Sequence, residues 1–199
     1  MDVALNLAQD VLGGHMIRLG CPVWQRGCNE HGLMLHTDGA DAPPVFDLLI
    51  LHCVQSAAQG GESILCDAGK LYNTLKNDAS LCWVAERLTT VPVNPIARWS
   101  TPPPHASSDP WPLFDLSSNQ LTVAHSGYAG VVNEDPEPLA TTQAIQIWDN
   151  IVGCATLDAE RTLLRNGSTL FCDNRRMLHG RTAYCGERVL VGIRPHANL

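Results

Sequence analysis

Lysine is nearly absent from this chain: only Lys70 and Lys76 occur in 199 residues. Lys and Arg together number 13 against 20 Asp and Glu, for a formal net charge of −7. A protein this acidic lacks the cationic surface that attracts phosphate backbones or anionic headgroups, so neither nucleic acid nor a membrane is expected as a partner. Long apolar runs are missing too. No stretch approaches the ~20 residues a membrane-spanning helix needs. Met1-Asp2 opens without a basic segment ahead of an apolar core, so no secretory signal is expected. Eight cysteines in such a chain read as free thiols in a reducing compartment, which makes a cytoplasmic location the expectation. Cys21, Cys28 and His31 could supply part of a zinc site, but their spacing fits no standard motif and a fourth ligand is not evident. Internal repeats and low-complexity tracts are absent.

What is there suits one domain over residues 1–199: 45% hydrophobic residues to bury, and 16 glycines and 13 prolines for many turns. Helical spacing of Ala4, Leu7, Ala8 and Val11 predicts a helix over Val3–Leu12, and His15–Leu19 reads as a short strand. Phe46–Val54 is almost continuously apolar and reads as a buried strand. Glu62–Asp67 alternates and is expected to be its partner across the Gln59-Gly60-Gly61 turn. Helices follow at Ala68–Leu75 and Ala79–Leu88. Residues 92–118 form a Pro-rich, lid-like insertion: seven of the thirteen prolines lie between Pro92 and Pro112, with Trp99, His105 and Trp111 among them. Leu121–His125 reads as a strand. Pro138–Val152 is an amphipathic helix that Gly153 is expected to stop. Strands Ser168–Asp173 and Glu187–Arg194 bracket a segment carrying His179.

Two stretches carry chemistry. In Leu33-Met34-Leu35-His36-Thr37-Asp38, apolar alternation predicts a strand, and side chains two apart share a face. His36 and Asp38 then project together, with Thr37 turned away. An imidazole beside a carboxylate is two thirds of a 2-His-1-carboxylate iron site. The second stretch is the tail. Five of the eleven arginines (Arg175, Arg176, Arg181, Arg188 and Arg194) cluster there. In the last strand Arg188, Leu190, Gly192 and Arg194 share one face and Val189, Val191 and Ile193 the other. Buried arginine is costly unless it meets a fixed anion, so this pattern points to a carboxylate-binding pocket. His52, within an apolar run, reads as a core histidine; His31, His105, His125 and His196 receive no role.

Three blocks together resemble the Fe(II)/2-oxoglutarate-dependent oxygenases of the taurine dioxygenase and γ-butyrobetaine hydroxylase group. They are His36-Thr37-Asp38 with Pro43-Pro44, Leu51-His52-Cys53 leading into Gly60-Gly61-Glu62-Ser63, and Asp173 through Arg181 with Arg188 after it. The resemblance implies a mainly β fold with flanking helices, a double-stranded β-helix of the jelly-roll, cupin-like kind. It implies His36, Asp38 and His179 as Fe(II) ligands. It implies Arg188, with Ser63, for the far carboxylate of 2-oxoglutarate, and Arg194 as a further contact to the cosubstrate or to the prime substrate. Asn174 and Arg181 flank His179 and are candidates for substrate contact or, equally, for a turn or for supporting the ligands from behind. The implied reaction uses O2 and turns 2-oxoglutarate into succinate and CO2 while oxidising, most simply hydroxylating, a small polar organic substrate. Two alternatives stand beside it: a non-oxidative metal-dependent isomerase or lyase on the same barrel, which needs no Arg188 pocket, and a catalytically silent binding protein. Oligomeric state is left open.

Overall fold

The computed structural model describes residues 23–25, 31–118 and 120–194, the first three through their backbone alone. The expected helix over Val3–Leu12, the expected strand over His15–Leu19, and Cys21 and Cys28 lie outside the described residues. In chain order the elements are β1 (Val23–Gln25), β2 (Leu33–His36), β3 (Leu48–Gln55), β4 (Gln59–Gly60), β5 (Ser63–Asp67), α1 (Ala68–Asn77), α2 (Cys82–Thr90), β6 (Phe114–Asp115), β7 (Thr122–Val123), α3 (Pro138–Asp158), β8 (Glu160–Thr162), β9 (Thr169–Asp173), β10 (Met177–Arg181), β11 (Tyr184–Cys185) and β12 (Arg188–Ile193).

Two four-stranded sheets form the body, ordered β1-β12-β3-β9 and β2-β10-β5-β8. Every strand pairing in them is antiparallel. Small two-stranded pieces, β4–β11 and β6–β7, sit at the margins. The fold is therefore mainly antiparallel β with a few helices. Alternation along the strands divides their faces. On the second sheet Leu35, Ile64 and Leu178 are buried in the main core, against Tyr72 and Leu75 of α1, Val84 and Leu88 of α2, and Trp148 of α3. Ser63, His179 and Arg181 of that sheet line instead a cavity shared with Leu49, Leu51, Arg188 and Leu190 of the first sheet. The helices back one sheet, and the two sheets enclose the polar space.

Three expectations are corrected. Glu62–Asp67 does not pair with β3. Gly60 and Gly61 take positive φ (67° and 75°), and Gly60 has no room for a Cβ, which would lie 2.1 Å from the Ala183 carbonyl oxygen. That turn carries the chain into the other sheet, where β5 pairs with β10, while β3 is flanked by β12 and β9. Gly153 does not end α3, which runs on to Asp158. A Cβ there would meet nothing within 4 Å, so this glycine weakens the helix only by the usual ~1 kcal/mol. His52 is only half-buried, and its Nδ1 hydrogen-bonds with Thr169 Oγ1 at 2.9 Å across the β3–β9 pair. The remaining elements fall close to their expected spans. Pro138 opens α3 at a position where the missing N–H costs nothing, and Asp67 caps α1 by accepting from Lys70 N at 3.1 Å.

The proline-rich segment 92–118 is tied down at several points. Val93 bridges to Trp111 and Asn94 to Gly130. Ser107 N donates to the Asp41 carbonyl at 2.8 Å. Six cysteines among the described residues are free thiols. No helix among the described residues is long and apolar enough to cross a membrane.

Candidate metal centre

His36 ends β2 and stands directly opposite His179 in the β2–β10 pair. Asp38 follows in the turn beyond β2 and comes round to the same side. The imidazole centroids are 4.4 Å apart. His36 Nε2 is 3.2 Å and His179 Nε2 3.4 Å from Asp38 Oδ1. The three residues offer ligand atoms that all lie within 4.8 Å of one another, on a partly buried floor. The three residues expected to share a metal ion are thus brought together, although 140 residues separate Asp38 from His179.

The donor atoms are oriented for this. Only a protonated His36 Nδ1 can hydrogen-bond the Met34 carbonyl, at 2.9 Å, which directs the other ring nitrogen, Nε2, at Asp38. His179 Nδ1 is buried without a hydrogen-bond partner, so packing and Asp38 hold that ring. The other Asp38 oxygen, Oδ2, accepts from Arg194 Nε. Burial would raise the Asp38 pKa, but hydrogen bonds from His179 and His36 and the Arg194 charge outweigh it and hold the carboxyl far below the usual range. Burial depresses His179. At His36 burial also opposes the charge, yet the hydrogen bond and charge of Asp38 leave its pKa raised.

Behind the floor, polar side chains hold the His36-Thr37-Asp38 backbone. Asn174, fully buried, accepts from Asp38 N at 3.0 Å and donates through Nδ2 to the carbonyls of Asp38 (2.9 Å) and Phe46 (2.7 Å). Its carboxamide thus pairs with Asp38 as a neighbouring strand residue would. The expected substrate contact for Asn174 does not fit this geometry: every polar atom of its side chain is already engaged away from the cavity. Thr37, turned away from the ligands as expected, donates to the Val123 carbonyl at 2.7 Å, while its N–H donates to the His125 carbonyl at 2.8 Å. Buried His125 accepts from Trp148 Nε1 at 3.2 Å. Burial, chiefly, pushes the His125 pKa down to about 4, with His36 and Arg98 adding to the effect. Thr37 and His125 were not singled out from the sequence. Their partners are the backbone of distant segments, which no local pattern reveals.

Beside the triad lies the cavity between the sheets, with a volume of about 430 Å³, where Ser63, Arg181, Arg188 and Arg194 stand together. Arg188 Nη2 donates to the Gly61 carbonyl at 3.3 Å. Its pKa is lowered by burial and then by the neighbouring Arg181 charge. Both guanidinium groups face the Tyr184 ring, at 4.5 Å for Arg181 and 5.8 Å for Arg188. Arg181, considered for substrate contact, is therefore in the arginine-lined space with Arg188. A second cavity opens on the other side of His36 and Asp38, under Trp99 and Tyr128. Arg194 borders both.

The comparisons agree with this geometry. Residues 25–194 match the model of the taurine catabolism dioxygenase TauD, TfdA family. A curated relative, dioxygenase str8 from Strobilurus tenacellus, is 33% identical over 171 residues, covering 81% of this chain and 38% of that protein. Among solved structures, the non-heme iron oxygenase OrfP in complex with Fe and alpha-ketoglutaric acid superposes with a TM-score of 0.63 at 19% identity, covering 85% of this chain and 51% of its own. Asparagine oxygenase AsnO gives 0.62 at 17% identity, with 85% and 50% coverage. The chain thus spans about half the length of these solved relatives and less of the curated one. With nearly the whole described region matched, the chain belongs to the TauD/TfdA dioxygenase family.

Proposed function

We propose that this chain is an Fe(II)/2-oxoglutarate-dependent oxygenase that hydroxylates a small organic molecule, on a single double-stranded β-helix domain of jelly-roll type. The observation that carries the reading is the convergence of His36, Asp38 and His179 beside a cavity holding Arg188. Two imidazoles and one carboxylate on one face suit ferrous iron and leave coordination positions for other ligands. The bound metal would supply oxidative chemistry in which one atom of O2 enters succinate, CO2 is released, and the other atom enters the substrate.

The protein's own groups have separable tasks. His36, tied through Nδ1 to the Met34 carbonyl, presents Nε2. Asp38 keeps Oδ1 toward both imidazoles while Arg194 takes Oδ2. Arg188 is a partly buried cation whose charge burial disfavours, and the far carboxylate of 2-oxoglutarate would relieve that cost. Ser63, buried on β5 and lining the same space, would add a hydroxyl to that grip. The arginine cavity favours this reading over a metal-dependent isomerase or lyase, which has no use for a second anion site.

The test is anaerobic. Fe(II) and 2-oxoglutarate are added and the weak visible charge-transfer band of the chelate is followed; O2 is then admitted and succinate measured. The band should vanish in His179→Ala and weaken in Arg188→Ala. A wild-type chain that binds Fe(II) without forming the band would overturn the proposal.

A further inference from the structure

The cavity on the far side of His36 and Asp38 has a volume of about 580 Å³, the size of a site for a drug-sized molecule. Its wall is mostly apolar: Leu33, Met34, Ala42, Phe46, Trp99 and Tyr128. Leu33 and Met34 are 49% and 66% exposed, which is high for large apolar side chains beside a metal-binding motif. Several polar groups on this wall already have partners inside the protein. Asp41 pairs with His105 at 3.2 Å. Ser126 Oγ donates to the Pro95 carbonyl at 2.7 Å and accepts from Tyr128 N at 3.1 Å. Thr37 is bonded to Val123, and Arg194 to Asp38.

Trp99 supplies one aromatic ring of this wall. Its ring stacks on Tyr128, with centroids 4.4 Å apart and planes 16° from parallel. The shelf is held from several directions. Arg98 N donates to the Tyr128 carbonyl at 2.9 Å, Trp99 N to the Ile96 carbonyl at 2.9 Å, and the Arg98 guanidinium bonds Asp149 at 2.6 Å and the Gly127 carbonyl at 3.1 Å. A free amino acid would bring an ammonium and a carboxylate into this space. Among the described residues lining it, Asp38 pairs with Arg194 and Asp41 faces His105, and Arg194 is the one Lys or Arg side chain. Moving such a zwitterion out of water with no fixed partners is unfavourable.

We infer that the substrate's portion away from the metal is a planar apolar ring, aromatic or conjugated, lying against Trp99. This deepens the oxygenase reading and rests on it for the identity of the cavity as the substrate site. It also departs from the small polar substrate expected from the sequence. Trp99 and Tyr128 then determine specificity.

The test measures equilibrium binding by calorimetry to the full chain without added metal, so that it does not depend on iron. The planar probes are indole and trans-cinnamyl alcohol; the polar probes are L-arginine and L-asparagine. The planar probes should bind, about tenfold more weakly to Trp99→Ala than to wild type, with Trp99→Phe restoring most of the loss. Leu139→Ala, at a fully solvent-facing position of α3, should change nothing. Preferential binding of the amino acids, no binding of either planar probe, or planar binding indifferent to Trp99→Ala would each overturn the inference. Succinate formation in the separate iron assay would meanwhile show whether the oxygenase reading stands.

Discussion

Asn174→Asp is the most informative single change, because it keeps the shape of the side chain and removes its two N–H donors. Asp38 N would still have an acceptor, but the carbonyls of Asp38 and Phe46 would face a carboxylate in a fully buried place. Leaving two buried carbonyls without donors costs about 1–3 kcal/mol each. The combined loss, about 2–6 kcal/mol, corresponds to a fall in Tm of roughly 5–20 °C for a domain of this size. The backbone that loses its clamp carries Asp38, the carboxylate proposed to bind the metal, so Fe(II) or Co(II) affinity should also fall, by about 10–100-fold as for other residues that orient ligands. A matched control is Asp135→Asn, since Asp135 is a buried carboxylate bonded to Arg87 at 2.7 Å and lines neither cavity. It should lower Tm and leave metal affinity unchanged. Co(II) titration followed by its visible spectrum, run beside thermal melts, reads both quantities. If Asn174→Asp lost stability like the control yet bound Co(II) as tightly as wild type, the claim that Asn174 positions Asp38 for the metal would be refuted.

Other outcomes follow from the same geometry. Arg188→Ala should raise the KM for 2-oxoglutarate about 100-fold, the usual cost of removing one partner of a buried charge pair, with metal affinity unchanged in a Co(II) titration. Gly180→Ala should destabilise the chain by about 1–3 kcal/mol, seen as a lower Tm, because a Cβ there would lie 2.6 Å from the Leu33 carbonyl oxygen where β10 meets β2. His125 gives a pH dependence. It stays neutral in the fold down to about 4, whereas the unfolded chain takes up its proton near 6.5. Its contribution is therefore intact above about 6.5 and is lost as pH falls toward 4, by about 3 kcal/mol in all. The stability advantage of wild type over His125→Asn, which retains an acceptor for Trp148, should shrink over that window in denaturant titrations; a constant advantage would count against it.

Much of the site was legible in the sequence because its chemistry sits in short local patterns. The two-residue spacing of His36 and Asp38 put both on one side, and alternation in the last strand put Arg188, Leu190, Gly192 and Arg194 on the cavity wall, where the structure has them. What escaped was set by distant partners. Asn174, flanking His179 in sequence, could be read as a substrate contact or a supporting residue; its amide is consumed by a backbone 136 residues away, and no local pattern decides between the two. The hydrophobic period of Glu62–Asp67 identified a strand but not its sheet, since either pairing would bury one face; the Gly60-Gly61 turn and the main core against the helices decided it. A lone glycine in a helical pattern is a poor terminator: it costs the helix only about 1 kcal/mol, and α3 runs on past Gly153 to Asp158.

The central claim is that His36, Asp38 and His179 hold one ferrous ion. The most direct measurement is anomalous scattering at the iron edge from crystals of the chain grown with Fe(II) under nitrogen. The account predicts one peak within coordination distance of His36 Nε2, an Asp38 oxygen and His179 Nε2, with Arg188 and Ser63 facing the adjoining cavity. Iron bound elsewhere, or a peak that leaves His179 out, would contradict it.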